Sequence, residues 1–413
     1  MIQFEKFELS NGLKVLIHED FSTPMAVLNV LYNVGARDER PNRTGFAHLF
    51  EHLMFGGSAN IPDFDDHIQL AGGENNAFTN NDITNFYEML PANNIEVAFW
   101  LESDRMLHLN FDERVLDTQR KVVVEEFKET CLNQPYGDVW HHLADMAYKE
   151  HPYRWPTIGK IPEHVSEATL DDVKDFHQKY YQPNNAILVL SGAIRHADAR
   201  QLAEKWFGDI PKGNVPQRRL PAEPPQKKLE RRIQRSKVPV DALYLAFHTP
   251  ARIDPDYYVV DLLSDILCNG PSSRLYRRLL KEESLFAQID CYITGSIDPG
   301  LLIIEGKPAE GVSLVEAEAV IWRELENLKA EIISERELQK WKNQVESTLI
   351  FSETNVLNKA INLAFFEVLG DANLINTEKE LYQKVSAQDI HRIANQVLIP
   401  SNCSEVYYEA ETD

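Results

Sequence analysis

Between Pro211 and Arg232, five prolines (Pro211, Pro216, Pro221, Pro224 and Pro225) stand among lysines and arginines, with few apolar residues. Proline fixes φ and removes a backbone donor, so neither a helix nor a central strand can run through this stretch. It reads as an extended, semi-rigid connector. The chain must therefore fold as two bodies. We expect them at residues 1–212 and 233–413, joined by a linker at 213–232. Both bodies have ordinary domain size.

Helical and strand periodicities alternate through both halves, so the class is mixed α and β. Phe7-Glu8-Leu9 and Leu13–Ile17 read as short strands around the Asn11-Gly12 turn. Met25–Asn33 and Asn185–Gly192 are apolar enough for buried strands. Thr44 is placed to cap a helix over Phe46–Phe55, which Gly56-Gly57 stops. The halves share a pattern of apolar run, turn and apolar helix. It runs from Val27 through Gly35-Ala36-Arg37-Asp38 in the first half, and from Ala242 through Pro250-Ala251-Arg252-Ile253-Asp254 in the second. With Ala36 placed on Ala251, His48, Glu51 and His52 fall on Leu263, Ile266 and Leu267. This suggests a duplicated domain with polar groups kept on one copy of a helix.

The formal charge of -22 makes a nucleic-acid partner a poor fit, because phosphate binding needs clustered Lys and Arg. No apolar run reaches the roughly 18 residues of a membrane span. Met1-Ile2-Gln3-Phe4-Glu5-Lys6 lacks the features of a signal peptide. The four cysteines form no C-x-x-C pair, which fits reduced thiols. We expect a cytoplasmic protein, or a periplasmic one if a leader has been removed.

His48-Leu49-Phe50-Glu51-His52 is the segment that carries chemistry. On a helix, residues i and i+4 share a face, so both histidines can reach one metal ion. Glu51 lies near the same face, within reach of a water there. The neighbours Leu49, Phe50, Leu53 and Met54 are apolar. Unpaired polar groups in such company cost a few kcal/mol, and metal coordination removes that cost. H-x-x-E-H is the inverted form of the H-E-x-x-H motif of zinc proteases.

At these residues the sequence resembles the M16 family of metallopeptidases, which includes pitrilysin, insulin-degrading enzyme and the mitochondrial processing peptidases. The resemblance implies an α+β fold of two homologous domains, each a mostly antiparallel sheet packed with helices. It also implies one zinc ion per chain and a third ligand on a downstream helix. Aligning the aliphatic run in Lys121-Val122-Val123-Val124-Glu125-Glu126 places that ligand at Glu126. Glu125 is the adjacent alternative, rotated about 100° around the helix. Glu129, one turn on from Glu126, is a candidate to support the ligand. Gln119 stands where many members carry a second glutamate, and it brings no charge. Gly72-Gly73-Glu74-Asn75-Asn76-Ala77-Phe78-Thr79 is similar to the family's substrate-binding edge strand. Asn76, Ala77, Phe78 and Thr79 are thereby implied to hold an extended peptide by β-augmentation.

The second half carries Gly270-Pro271-Ser272-Ser273-Arg274-Leu275, similar to another family segment. Active members supply an arginine and a tyrosine just after it. Here Leu280 and Ala287 occupy those positions, and neither can donate a hydrogen bond. The resemblance implies a zinc endopeptidase with Glu51 as general base. It also implies a heterodimer whose homologous partner carries the Arg/Tyr pair, the alternative being a homodimer. Rival readings are a non-catalytic scaffold and a peptide-binding subunit of the same fold.

Overall fold

A computed structural model describes residues 1–411. Two compact units emerge, each built on one sheet. The first sheet has six strands: β1 (Glu5–Glu8), β2 (Lys14–Glu19), β3 (Met25–Tyr32), β4 (Glu74–Thr79), β5 (Thr84–Pro91) and β6 (Ala186–Gly192), in the order β1-β2-β6-β3-β5-β4. The second has five: β7 (Glu230–Ser236), β8 (Ala242–His248), β9 (Phe286–Ile293), β10 (Leu301–Pro308) and β11 (Cys403–Ala410), in the order β7-β11-β8-β10-β9. Only β2 with β6, and β7 with β11, pair in parallel; all other pairs are antiparallel. With β1 set aside, the two sheets have the same order and the same strand senses. The fold is α+β with a duplicated domain, as the paired strand-turn-helix pattern suggested.

The central strands explain their own sequences. Every residue of β6 (Ala-Ile-Leu-Val-Leu-Ser-Gly) is buried, and so is every residue of β3 after Met25. A strand covered on both faces reads as a continuous apolar run rather than an alternation. Asn29 interrupts the run on β3. It and Asn85 on β5 exchange two side-chain hydrogen bonds of 2.9 and 2.8 Å, so neither buried amide is unpaired. Helices cover one face of the first sheet, among them Phe46–Phe55 and Glu96–His108, which share one apolar core with β3 and β6.

The other face is covered by a segment from far along the chain. The helix Val356–Val368 lies on β3 and β6. Conversely, the helix Val139–Ala147 packs on β8 and β11. The units are therefore Met1–Lys128 with Trp155–Leu220 and Ile350–Thr377, and Glu129–Arg154 with Pro221–Leu349 and Glu378–Asp413. The spans expected from the sequence, 1–212 and 233–413, run contiguously along the chain, whereas the compact units exchange one helical segment each. A linker marks where the chain crosses, but not which sheet a later helix covers. The linker also ends earlier than expected, since β7 begins at Glu230. Its first part is fixed to the first unit: Arg218 binds both carboxylate oxygens of Asp38 and the backbone carbonyl of Asn33. Among the described residues, no helix is long and apolar enough to cross a membrane.

Ion pairs hold Val356–Val368 at its place in the first unit. Glu367 bonds Lys6 at 2.7 Å and Lys14 at 2.9 Å, and Lys359 bonds Asp20 at 2.5 Å. Hydrogen bonds from Lys359 and Ser22 hold the Asp20 carboxyl far below its ordinary range. A depressed carboxyl pKa contributes stability that is complete above the unfolded value and is lost as pH falls through the folded one. Asp20→Asn should lower stability by about 1–3 kcal/mol at neutral pH. In urea unfolding followed against pH, the gap to wild type should close below about pH 4.

Candidate metal centre

The helix Phe46–Phe55 buries Phe46, Ala47, Leu49, Phe50, Leu53 and Met54. His48, Glu51 and His52 occupy the stripe left over, and all three are partly exposed. The helix does not begin as the sequence suggested. Thr44 is not its cap: the N-cap is Gly45, in the left-handed region at φ 83°, and it offers no side chain. The hydroxyl of Thr44 instead accepts from Lys160 N at 2.8 Å and bonds His164 Nδ1 at 2.8 Å. The first-turn amides go to Glu39, which accepts from Gly45 N at 3.0 Å and from Ala47 N at 2.8 Å. Burial pushes the Glu39 carboxyl up to about 8, against the downward pull of these two bonds.

The helix Glu113–Phe127 lies alongside and brings Glu126 to the two histidines. His48 Nε2 and His52 Nε2 are 3.3 Å apart. Glu126 Oε2 is 3.3 Å from His52 Nε2, and Oε1 is 3.7 Å from His48 Nε2. A tetrahedral zinc with bonds of about 2.0–2.1 Å spaces its ligand atoms about 3.3–3.4 Å apart. One ligand atom from each residue lies within 4.8 Å of the other two, so the donor set suits zinc. Among the described residues, no other trio of His, Cys, Asp or Glu brings its ligand atoms this close together. Burial lowers the His48 pKa to about 4, opposed by Glu126 and aided by His52. His48 is thus neutral at physiological pH, the form that ligates a metal. The hydrogen bond with His52, followed by the charges of the two histidines, lowers the Glu126 carboxyl. His48 Nδ1 is buried with no hydrogen-bond partner, so no protein acceptor fixes the tautomer of this ring.

Glu125 is turned away, 70% exposed and paired with Lys128 at 2.7 Å, so Glu126 is the member of the pair facing the histidines. Gln119 is on the same helix two turns earlier and half-buried. Glu129 is exposed, on the π-helical turn Lys128–Asn133.

The Glu51 carboxyl is raised by burial, and hydrogen bonding to the hydroxyl and backbone N–H of Thr79 pulls it back down. Thr79 ends β4, an outer strand of its sheet. On the same strand, Ala77 N–H donates to Asn76 Oδ1 at 2.8 Å. Asn76 is exposed; Ala77 and Phe78 are half-buried. The far end of β4 is fixed by the turn before the histidine helix. Ala36 N donates to Asn80 O, Arg37 N donates to Asn81 O, and Arg37 pairs with Asp82 at 2.9 Å. Gly35 is required there, since a Cβ would lie 2.5 Å from Asp82 N. Sequence reasoning missed Glu39, Arg37 and Asp82. The signal nearest to them is Gly35-Ala36-Arg37-Asp38, which reads as a connecting turn and includes neither Glu39 nor Asp82.

In the second unit, Leu263, Ile266 and Leu267 are fully buried in the helix Tyr257–Cys268. They stand where the first unit has His48, Glu51 and His52. Leu280 is half-buried in the π-helical segment Tyr276–Glu282, and Ala287 is exposed on the outer strand β9.

Comparison with known proteins gives the family. Residues 14–160 match the profile described as Insulinase (Peptidase family M16), and residues 167–345 match that of the Peptidase M16 inactive domain. The chain belongs to peptidase family M16. It is 29% identical to the Zinc protease PqqE of Helicobacter pylori, over 98% of this chain and 92% of that protein. It is 26% identical to the Mitochondrial-processing peptidase subunit beta of Saccharomyces cerevisiae, over 84% and 78%. The crystal structure of a protease from Helicobacter pylori superposes with a TM-score of 0.93 at 27% identity, covering 99% of this chain and all of that one.

Glu126→Gln should reduce bound zinc in the purified protein from one equivalent to a small fraction, by elemental analysis. Glu125→Gln should leave it unchanged.

Proposed function

We propose that the chain is a zinc-dependent endopeptidase that hydrolyses peptides or unfolded segments bound in extended form. The observation that carries this reading is the convergence of His48, His52 and Glu126, with Glu51 between that trio and an outer strand. His48, His52 and Glu126 would hold zinc, one ion per chain. When bound, zinc supplies Lewis-acid polarisation and makes water acidic near neutral pH. Glu51 takes the proton from the attacking water on its carboxylate and passes it to the leaving amine. Burial makes that carboxylate a stronger base, while Thr79 limits the shift and aims it. The substrate adds to the free edge of β4, where backbone hydrogen bonds hold any sequence and pockets select side chains. The Asn76 amide closes the Ala77 N–H in the free chain. An incoming peptide carbonyl takes over that donor as the Asn76 side chain turns to the substrate backbone.

Stabilising the developing oxyanion calls for preorganised donors. Leu280 and Ala287 supply none, which supports a working enzyme assembled from two chains. The heterodimer reading assigns the missing arginine and tyrosine to a homologous partner subunit.

Glu51→Gln should retain one zinc equivalent and cleave a quenched fluorescent peptide at least about 10²-fold more slowly, in kcat. Normal turnover by this variant would remove Glu51 from the base role. Wild-type protein that folds but retains no zinc would point instead to a scaffold or peptide-binding subunit. A rise in kcat on adding the homologous partner, with none on adding more of this chain, would separate the heterodimer from the homodimer.

A further inference from the structure

We propose that Glu39 is a positioning residue of the metal centre: from outside the helix, it sets the start and rotational phase of Phe46–Phe55. A helix begins with backbone N–H groups that have no intrahelical partner, and a cap residue normally accepts from them. No local cap is available here, because Gly45 has no side chain and the Thr44 hydroxyl is committed to Lys160 and His164. Glu39 supplies the acceptors instead, one oxygen to Gly45 N and the other to Ala47 N. A single bond would leave the helix end free to pivot. Two bonds from one rigid carboxylate fix its rotation as well as its position.

The rotation matters because His48, Glu51 and His52 project from this helix. Their functional atoms lie about 5–6 Å from its axis, so a 20° rotation moves them by on the order of 2 Å. Productive site geometry tolerates about 0.5 Å. Glu39 is itself held firmly. It is buried, its N–H donates to Ala36 O at 3.2 Å, and the preceding Asp38 is gripped by Arg218 at 2.7 and 3.0 Å. The same turn holds the end of the β4–β5 hairpin through Arg37 and Asp82. One turn thus fixes both the helix that carries Glu51 and the strand that carries Thr79.

The kinetic part of this inference rests on the peptidase reading; the metal part does not. The test compares full-length wild type with Glu39→Gln, Glu39→Asp and Glu39→Ala. Cobalt(II) is titrated against a chromophoric chelator, its d–d absorption is recorded, and kcat and KM are measured on one peptide at saturating zinc. Gln keeps the reach but has a single acceptor oxygen, so it can hold only one of the two N–H groups; Asp keeps both acceptor oxygens but is one methylene too short to hold both. Gln and Asp should therefore each be defective, and Ala more so. Ala should weaken cobalt Kd by about 10–100-fold. Asp should weaken it severalfold, with a shifted d–d band and a fall in kcat of about tenfold at nearly constant KM. If Ala does not fold, Asp decides: a wild-type band, Kd and kcat in Glu39→Asp would overturn the proposal. Wild-type protein that binds cobalt tightly but cleaves no peptide, alone or with the homologous partner, would sink the peptidase reading and leave the metal test of Glu39 standing.

Discussion

His48 and His52, on a helix that is otherwise buried and apolar, must stay beside Glu126 of a second helix, with one candidate ligand atom from each residue within 4.8 Å of the others. Much of the first unit serves that constraint. The sheet gives Phe46–Phe55 a flat apolar bed, and the helix Glu113–Phe127 packs beside it. The buried carboxylate of Glu39 closes the amides that the local sequence leaves open. The cluster is two imidazoles and a carboxylate that satisfy one another only in part, His48 Nδ1 being buried with no hydrogen-bond partner. The scaffold keeps them together against the tendency of polar groups to seek water.

The duplication shows what the same frame does without that duty. In the second unit the positions of His48, Glu51 and His52 hold Leu263, Ile266 and Leu267, all fully buried. The sheet, strand order and helix remain. The two copies indicate that the fold does not need the polar stripe.

The parts of the structure visible in the sequence were those encoded by neighbouring residues. Continuous apolar runs identified β3 and β6, and the i, i+4 spacing put two histidines on one face. Glu126 needed the family resemblance, because Glu125 and Glu126 differ only in helical phase. Their environments separate them: Lys128 holds one outward, and the histidines face the other. Features that depend on distant residues stayed hidden. Thr44 looked like the cap by local rules, yet a loop arriving with Lys160 and His164 claims its hydroxyl. Glu39 reaches back across the turn to replace it. The pairing of each exchanged helix with its sheet is likewise a matter of tertiary packing, which local periodicity does not record.

That exchange bears on how the chain is made. Domains generally fold from the N-terminus as they leave the ribosome. Here the first sheet has one face uncovered until Val356–Val368 has been synthesised, long after its last strand, β6. Early in translation, the bare faces of β3 and β6 are an apolar surface awaiting a helix still to come. A nascent chain of this design has reason to be shielded by a chaperone. The first unit is completed only near the end of synthesis, so a ribosome that stops at the linker releases an unfinished sheet rather than a free-standing domain.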